Sequence, residues 1–221
     1  MGAGCVSRAG ARTARRADAE QNTARILDAA AACLSRSATA SVGEIAQAAG
    51  LGRVTVYGHF PSREALVEAT LARLLEQGET VLAGLDLTGD PRQALRALIE
   101  SSWRLIADAS AVLEAAQSTL PPGRIRELHA KPAQRVEELI RRGQSKGVFR
   151  ADLPPTWLVS VLYHVLKGAA ADVSSGRLDP SDAPQFIVAT VLAAYVTPTN
   201  PGHPMWWARD GSPSRQSNET T

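Results

Sequence analysis

The sequence predicts an all-α protein of about nine helices, in which an N-terminal three-helix domain precedes a larger helical bundle. Apolar residues recur at intervals of three and four positions, the spacing of one face of an α-helix. Alternating runs of Val, Ile and Thr are almost absent, and aromatic residues make up only 5% of the 221 residues. With 44% hydrophobic residues, the chain can bury a substantial core, which excludes disorder of the whole chain.

The first 17 residues are interpreted as a basic, disordered arm. The arm carries arginines and no acid, and the Gly and Ala residues between them offer little to pack. Two interpretations stay open: the arm is solvated, or it contacts DNA phosphates or a minor groove. The arginines concerned are Arg8, Arg12, Arg15 and Arg16.

Three helices are predicted within residues 18–79. The first runs from about Asp18 to Ser35, where apolar residues form one stripe. The segment Ser41-Val42-Gly43-Glu44 has the pattern of a capping box, so a second helix begins at Val42. It ends near Ala49, because Gly50 can adopt the left-handed conformation that closes a helix.

The third helix is short, and a fourth follows it directly. The third runs from about Arg53 and ends before Pro61, because proline cannot continue a helix. Ser62 then caps a longer helix with a regular apolar face. Between Thr80 and Asp90 the composition changes to Gly, Asp and Thr, which indicates the boundary between the two domains.

The C-terminal domain is predicted over residues 90–197, with further helices set off by prolines. Asp90 and Pro91 form a cap and a first-turn proline. The remaining helix boundaries are indicated at residues 121–123, at Pro132, at residues 154–155 and at residues 179–182. Residues 198–221 lack periodicity and are predicted to be disordered, although Trp206-Trp207 could dock on the protein.

Residues Ser41 to Phe60 have the pattern of a helix-turn-helix. Such a motif needs a small residue where the helices cross, a glycine at the turn and apolar anchors for the second helix. Ala46 and Gly50 fit the first two requirements. The predicted anchors are Ile45, Leu51, Val56 and Phe60. With these buried, the residues that face a groove and its phosphates are Arg53, Thr55, Tyr57 and His59.

The same region closely resembles the DNA-binding domain of a known family. Its most specific parts are Thr-Val-Tyr-Gly-His-Phe at positions 55–60 and Ser-Arg-Glu-Ala-Leu at positions 62–66. They resemble the N-terminal domain of the tetracycline-repressor (TetR) family. The resemblance implies that Arg53 and Thr55 reach bases and that Tyr57 and His59 contact phosphates. It also implies that the basic residue opening the fourth helix, Arg63, clamps another phosphate. The expected DNA-binding set is Ser41, Arg53, Thr55, Tyr57, His59 and Arg63.

Three glycines depart from the pattern of that family, at Gly43, Gly52 and Gly58. Each removes a side chain that often contacts DNA or caps a helix. Some residues of this region also have a purely structural interpretation. Tyr57 and Phe60 could be core aromatics, and Arg53 could be a solvated residue of the first helical turn.

The C-terminal domain resembles the family more loosely. Residues 143–153, followed by Pro-Pro-x-Trp-Leu, are similar to the junction before the last two helices of many such regulators. The resemblance implies an effector-binding and dimerisation domain but identifies no effector. Candidate cavity residues are Trp103, Ile106, Leu113, Gln117, Leu128, Tyr163 and His164, with packed core as the alternative for each. Candidate dimer contacts are Leu158, Leu162, Val165, Phe186, Leu192 and Tyr195.

Several functional classes are excluded by the sequence. The net charge of +2 is too small to identify a nucleic-acid binder alone. Cys5 and Cys33 have neither metal-site nor disulfide spacing, the histidines lack second ligands, and no metal or cofactor is expected. No export signal or run of eighteen apolar residues is present, so a cytoplasmic protein is expected. Nucleophile-elbow, Walker, zinc-protease and dinucleotide motifs are absent, which argues against an enzyme.

The sequence therefore predicts a one-component transcriptional regulator, a repressor that binds a palindromic operator in double-stranded DNA as a homodimer. A small, largely apolar effector would enter the C-terminal domain and release the DNA. The alternative is a DNA-binding dimer that needs no ligand, whose C-terminal domain only dimerises or binds a protein partner. A cavity of several hundred cubic ångströms would argue against this alternative, and a solid core would support it.

Overall fold

The computed structural model describes residues 5–196, which form nine α-helices without a β-strand. The helices are α1 (Cys5–Arg36), α2 (Val42–Ala48), α3 (Arg53–His59), α4 (Arg63–Ala83), α5 (Pro91–Thr119), α6 (Pro122–Leu128), α7 (Ala130–Ser145), α8 (Pro155–Ser174) and α9 (Ala183–Tyr195). The all-α prediction is therefore confirmed for this part of the chain. The predicted tail, with Trp206 and Trp207, lies outside it.

Three helices, α2, α4 and α5, begin at the capping side chains that the sequence indicates. Ser62 Oγ accepts a hydrogen bond from the backbone N–H of Ala65 at the start of α4. Asp90 Oδ1 accepts two, from the backbone N–H groups of Arg92 and Gln93. Each such bond satisfies a donor that the first helical turn leaves free, which explains why these helices begin where they do.

The start of α1 differs from the prediction. The helix begins at Cys5 rather than near Asp18, so residues 5–17 are helical and not a disordered arm. Extending an existing helix costs far less than nucleating one, and Ala and Arg are strong helix formers. A helix nucleated by the buried stripe further along the chain can therefore continue back through this polar segment.

Two clusters of buried side chains stabilise the fold. The N-terminal cluster joins α1 to α4 with the second half of α5 and includes Ile26, Leu34, Ile45, Val56, Leu66, Leu71 and Val112. The C-terminal cluster joins the first half of α5 with α7, α8 and α9 and includes Leu95, Ile99, Trp103, Ile140, Phe149, Leu158, Leu162 and Tyr195. Helices α4 and α5 pack against each other, and each contributes side chains to both clusters.

Phe149 closes the C-terminal cluster by packing directly against the backbone of α7. A Cβ atom at Gly143 would lie 2.0 Å from Cδ2 of Phe149, so only glycine allows the ring this close. The ring meets that of Tyr195 edge-on at 5.6 Å between centroids. This contact fixes the ends of α7 and α9 on each other.

Candidate nucleic-acid interface and cavity

Helix α2 begins with a complete capping box. Ser41 Oγ accepts from the backbone N–H of Glu44 at 3.2 Å, and the backbone N–H of Ser41 donates to Glu44 Oε2 at 2.7 Å. These bonds with the Ser41 backbone and hydroxyl lower the pKa of Glu44. Ser41, a predicted DNA contact, is exposed, but its hydroxyl also donates to Glu44 at 2.7 Å.

The turn after α2 is built as the sequence predicts. Gly50 has a φ of +64°, in the left-handed region that favours glycine. The Arg25 guanidinium of α1 donates to the carbonyl of Ala49 at 2.8 Å and so satisfies an acceptor at the end of α2. The turn is therefore fixed by its own backbone and by the first helix.

One side of helix α3 packs on the protein, and the other side is exposed to solvent. Of its seven residues only Val56 is buried, with no exposed surface, whereas Val54 is 86% exposed and Tyr57 49% exposed. Arg53 and Thr55 are also exposed. A Cβ atom at Gly58 would meet nothing within 4 Å, so this part of the surface is open. The exposed side chains of α3 are therefore free to contact a groove.

The side chain of Arg53 lies back across α2. A Cβ atom at Gly43 would lie 2.2 Å from Nη2 of Arg53, so the guanidinium occupies space that any other residue at position 43 would fill. Arg53 makes no hydrogen bond or ion pair with another residue of the range 5–196. Gly43 therefore does more than remove a contact, because it leaves room for the recognition-helix arginine.

His59 is held by the first helix. Its Nδ1 lies 3.0 Å from the hydroxyl of Thr23, and that hydroxyl also contacts the carbonyl of Ala19 at 2.9 Å. The carbonyl can only accept, so both contacts are satisfied when Thr23 donates to it and His59 Nδ1–H donates to Thr23. This arrangement leaves Nε2 as the ring nitrogen available to DNA.

Arg63, the predicted phosphate clamp, is engaged elsewhere. Its Nη2 donates to the carbonyl of Ala38 at 2.7 Å, and its Nε donates to that of Ala40 at 3.3 Å. Both carbonyls belong to the loop between α1 and α2, directly before the capping box. The side chain therefore positions the start of α2, and its contact with a phosphate stays a prediction.

A cavity of about 820 Å³ lies between α4, α5, α7 and α8. Of the predicted lining residues, Ile106, Leu113, Gln117 and Tyr163 line it. Three do not: Trp103 is buried in the C-terminal cluster, Leu128 packs against the N-terminal cluster, and His164 is exposed with its Nδ1 donating to the carbonyl of Ser160. The spacing of apolar residues alone cannot separate a cavity wall from solid core.

Three of the predicted dimer contacts belong to the core of a single chain. Leu158 and Leu162 are 1% exposed, and Tyr195 is fully buried with its hydroxyl donating to the carbonyl of Leu158 at 2.5 Å. Burial raises the pKa of Tyr195, so the hydroxyl remains a donor. Val165 and Leu192 are partly buried, and Phe186 is 52% exposed.

The exposed faces of α8 and α9 form a second surface of interest, which we call the α8–α9 face. It consists of residues spaced three or four apart, without Asp, Glu, Lys or Arg. On α8 these residues are Trp157, Val161, His164 and Gly168, and on α9 they are Phe186, Ala189 and Ala193. Trp157 is 57% exposed, an unusual position for so large an apolar side chain.

Some residues at these sites escaped the sequence analysis. Val56 is the valine of α3 that packs in the cluster containing Ile45 and Phe60, which leaves Val54 exposed to solvent. Thr23 contacts His59 from 36 residues away, and Glu79 reaches the cavity from α4. The latter two have no signal in the sequence, because long-range packing brings them to their sites.

Comparisons with known proteins agree with this architecture. Residues 26–70 match the family described as bacterial regulatory proteins, tetR family. An HTH-type transcriptional regulator of Mycobacterium tuberculosis H37Rv is 30% identical over 189 residues, which cover 81% of this chain and 90% of that protein. The transcriptional repressor LfrR of Mycolicibacterium smegmatis is 37% identical over 87 residues, 39% of this chain and 46% of LfrR.

Solved structures share the fold. LfrR from Mycobacterium smegmatis, in complex with proflavine, superposes with a TM-score of 0.67 at 24% identity, over 81% of this chain and 99% of that one. A TetR-family regulator from Agrobacterium tumefaciens gives 0.67 at 21% identity, over 81% and 100%. None of the helices within residues 5–196 has the length and apolar character that a membrane span requires. The chain is a DNA-binding transcriptional regulator and belongs to the TetR family.

Proposed function

We propose that this regulator is a repressor that a small, largely apolar effector releases from its operator. The observation that carries the proposal is the cavity of about 820 Å³, which exceeds what a packed core leaves empty. Its volume lies within the range of ligand sites, and most of its wall is aliphatic. We assign the regulator no catalytic role and expect it to act in the cytoplasm, where its DNA lies.

Helix α4 is the element that can couple the cavity to the DNA. Leu71 belongs to the N-terminal cluster and also lines the cavity. Two residues further along, Arg73 donates to the carbonyl of Ala24 at 3.0 Å and to Asp28 at 2.7 Å, so a displacement of α4 is transmitted to α1. A ligand that displaces α4 would therefore move the first helix and, through it, the supports of α2 and α3.

Helix α6 offers a second connection to α4. The Arg124 guanidinium donates twice to Glu68 Oε1, at 2.8 and 2.7 Å, and also binds Glu127. Both partners raise the pKa of Arg124, in keeping with a persistent charge. The DNA-binding domain of residues 18–79 and the ligand-binding domain of residues 90–197 are thus linked on two sides of α4.

The alternative, a regulator without a ligand, fits the structure less well. A C-terminal domain used only for dimerisation gains nothing from an open interior, because each unfilled volume costs packing energy. LfrR, a structural neighbour, is in complex with proflavine. This relative supports a small-molecule effector.

We further propose a two-fold homodimer that binds a palindromic operator in double-stranded DNA. Two copies of α3 would then lie about 34 Å apart, one turn of the double helix. The α8–α9 face is the surface we assign to the dimer contact, with Trp157 and Phe186 as its largest members. An effector that favours another spacing would reduce operator affinity by its differential binding to the two states.

The test of effector control is release of operator DNA by ligand. The operator is first selected from random DNA with purified protein, and compounds are then screened for loss of fluorescence anisotropy of the complex. Ala109→Phe places a ring in the cavity wall. This variant should retain operator affinity within about threefold but lose release by any compound found, since a coupling free energy requires a bound ligand.

Two results would contradict the proposal. One is release that persists undiminished in Ala109→Phe, because the ligand would then bind elsewhere. The other is the absence of any releasing compound together with unchanged thermal stability of the protein in the whole screen, since a ligand that binds the folded state must stabilise it.

A second test concerns recognition of bases. Arg53→Ala should relax the sequence preference at one or two base pairs, with a loss of about 1–3 kcal/mol on the operator and little on unrelated DNA. Tyr57→Phe is the matched control, because a phosphate contact serves all sequences equally and its loss should weaken binding uniformly. Equal losses on operator and unrelated DNA for Arg53→Ala would overturn its base-reading role.

A further inference from the structure

The cavity wall contains a buried carboxylate with one oxygen unused. Glu79 lines the cavity and is only 8% exposed. Its Oε2 accepts from Arg135 Nη2 at 2.9 Å and lies 3.6 Å from Lys131 Nζ. Its Oε1 has no hydrogen-bond partner within residues 5–196. Buried polar atoms are nearly always paired, so an unmet acceptor in a cavity wall is a position for a ligand donor.

Among the charged side chains that line the cavity, Glu79 alone is buried. The ionisable side chains that line it as full charges are two carboxylates, Glu79 and Glu114, and one ammonium, Lys167. Lys167 stands at the exposed rim and donates to Gln117 at 3.2 Å. Glu114 has no ion pair or hydrogen bond in the described part of the chain. Glu114 and Lys167 are both exposed, so the acceptor that the interior offers is Glu79 Oε1, whose companion oxygen is already paired with Arg135 and Lys131.

An aromatic pair stands beside this carboxylate. Tyr163 and His129 both line the cavity, with their rings edge-to-face at 6.3 Å between centroids. Burial and the charge of Glu79 raise the pKa of Tyr163 to about 12, so its hydroxyl stays protonated at neutral pH. An aromatic face near a carboxylate is a common environment for a bound cation.

We propose that the effector is an amphipathic cation, whose protonated nitrogen donates to Glu79 and whose apolar body fills the cavity between α5 and α8. This inference rests on the effector-controlled function proposed above and specifies its ligand class. A charged N–H donor gains more from a carboxylate than a neutral donor does, because both partners are ionised and water is excluded.

Other head groups fit the site less well. A carboxylate ligand would bring its oxygens against the acceptor atoms of Glu79 and has no free cation deep in the cavity to pair with. A neutral alcohol can donate one hydrogen bond to Oε1 but gains less from it than a charged N–H donor does. The head group, rather than the apolar body, therefore decides between these ligands.

The experiment compares three probes with the same ten-carbon chain. Decylammonium, decanol and decanoate are titrated below their aggregation concentrations into the full-length protein by isothermal titration calorimetry at neutral pH. The proposal expects decylammonium to bind at least tenfold more tightly than decanol, and decanoate to bind most weakly. Equal binding of the three, preference for decanoate, or no binding of decylammonium would overturn it.

A variant tests whether the carboxylate of Glu79 is the group that binds the ammonium of the ligand. Glu79→Gln keeps an acceptor for Arg135 but removes the negative charge, and should reduce decylammonium affinity at least tenfold while changing decanol affinity less than threefold. Glu137→Gln is the matched control: Glu137 is also paired with an arginine, Arg141, and does not line the cavity. This control should bind decylammonium like the wild type. Equal losses in both variants, or none in Glu79→Gln, would contradict the assignment.

The probe series also separates this inference from the function on which it rests. Operator release is measured with the same three probes. If decanol or decanoate releases operator DNA and decylammonium does not, effector control stands and the cationic class is wrong. If decylammonium binds through Glu79 without affecting operator binding, the ligand class stands and release by this ligand is wrong.

Discussion

Replacing Val56 with aspartate should abolish operator binding and destabilise the N-terminal domain. Val56 is the single buried residue of α3 and belongs to the N-terminal cluster. A carboxylate there would have no partner among apolar neighbours such as Ile45 and Phe60. An unpaired buried charge costs about 3–5 kcal/mol, a large share of the stability of a small domain. Without this anchor, a seven-residue helix cannot hold its angle on DNA.

The matched control lies two positions earlier on the same helix. Val54→Asp introduces the same charge at a residue that is 86% exposed, so chemical denaturation should give a free energy of unfolding within about 0.5 kcal/mol of the wild type. Its operator complex should be weakened by repulsion from phosphates and recover at lower salt. A Val56→Asp variant that unfolds like Val54→Asp would show that α3 is anchored elsewhere.

Local chemistry explains why much of the fold was predictable. The capping box at Ser41, the capping residues Ser62 and Asp90, and the left-handed Gly50 act within a few residues of themselves, and the structure has each helix boundary they indicate. The start of α1 was not predictable in this way. The sequence before Cys5, Met-Gly-Ala-Gly, offers no capping side chain, and a helix that extends by propagation has no local signal at its end.

The orientation of the candidate site residues was predictable only where the apolar pattern of a single helix determines it. On α3, the inward position of Val56 fixes which neighbours are exposed, so Thr55 and Tyr57 face outward as expected. The side chain of Arg63 instead turns to carbonyls 23 and 25 residues away. Such contacts depend on how the α1–α2 loop packs on α4, and a single sequence gives no measure of that packing.

The same limit explains the errors in the C-terminal domain. Helices α8 and α9 carry apolar residues on several faces, so their pattern indicates more than one contact but not which face meets which partner. The structure assigns Leu158, Leu162 and Tyr195 to the core. What remains outside is a stripe of aromatic and small residues, which the sequence alone could not distinguish from the core stripe.

This stripe leads to the second large effect. Phe186→Glu should convert the proposed homodimer to a monomer and reduce operator affinity by more than a hundredfold. In a two-fold contact each change occurs twice, so the proposed apolar interface would have to bury two new carboxylates. An unpaired buried charge costs several kcal/mol. Because a monomer engages only one half-site, it loses the gain of linked binding, which is commonly 10²–10⁴-fold.

Analytical ultracentrifugation gives the oligomeric state, and anisotropy gives the affinity for the operator and for a single half-site. Val81→Glu is the control, since Val81 is a 41% exposed apolar residue of α4 that lies outside the α8–α9 face. It should remain dimeric and bind DNA like the wild type. Half-site affinity should be the same in all three proteins, because Phe186 does not belong to the DNA interface. A dimeric Phe186→Glu variant with full operator affinity would require that the subunits meet through another surface, and the exposure of Trp157 would then need a different partner.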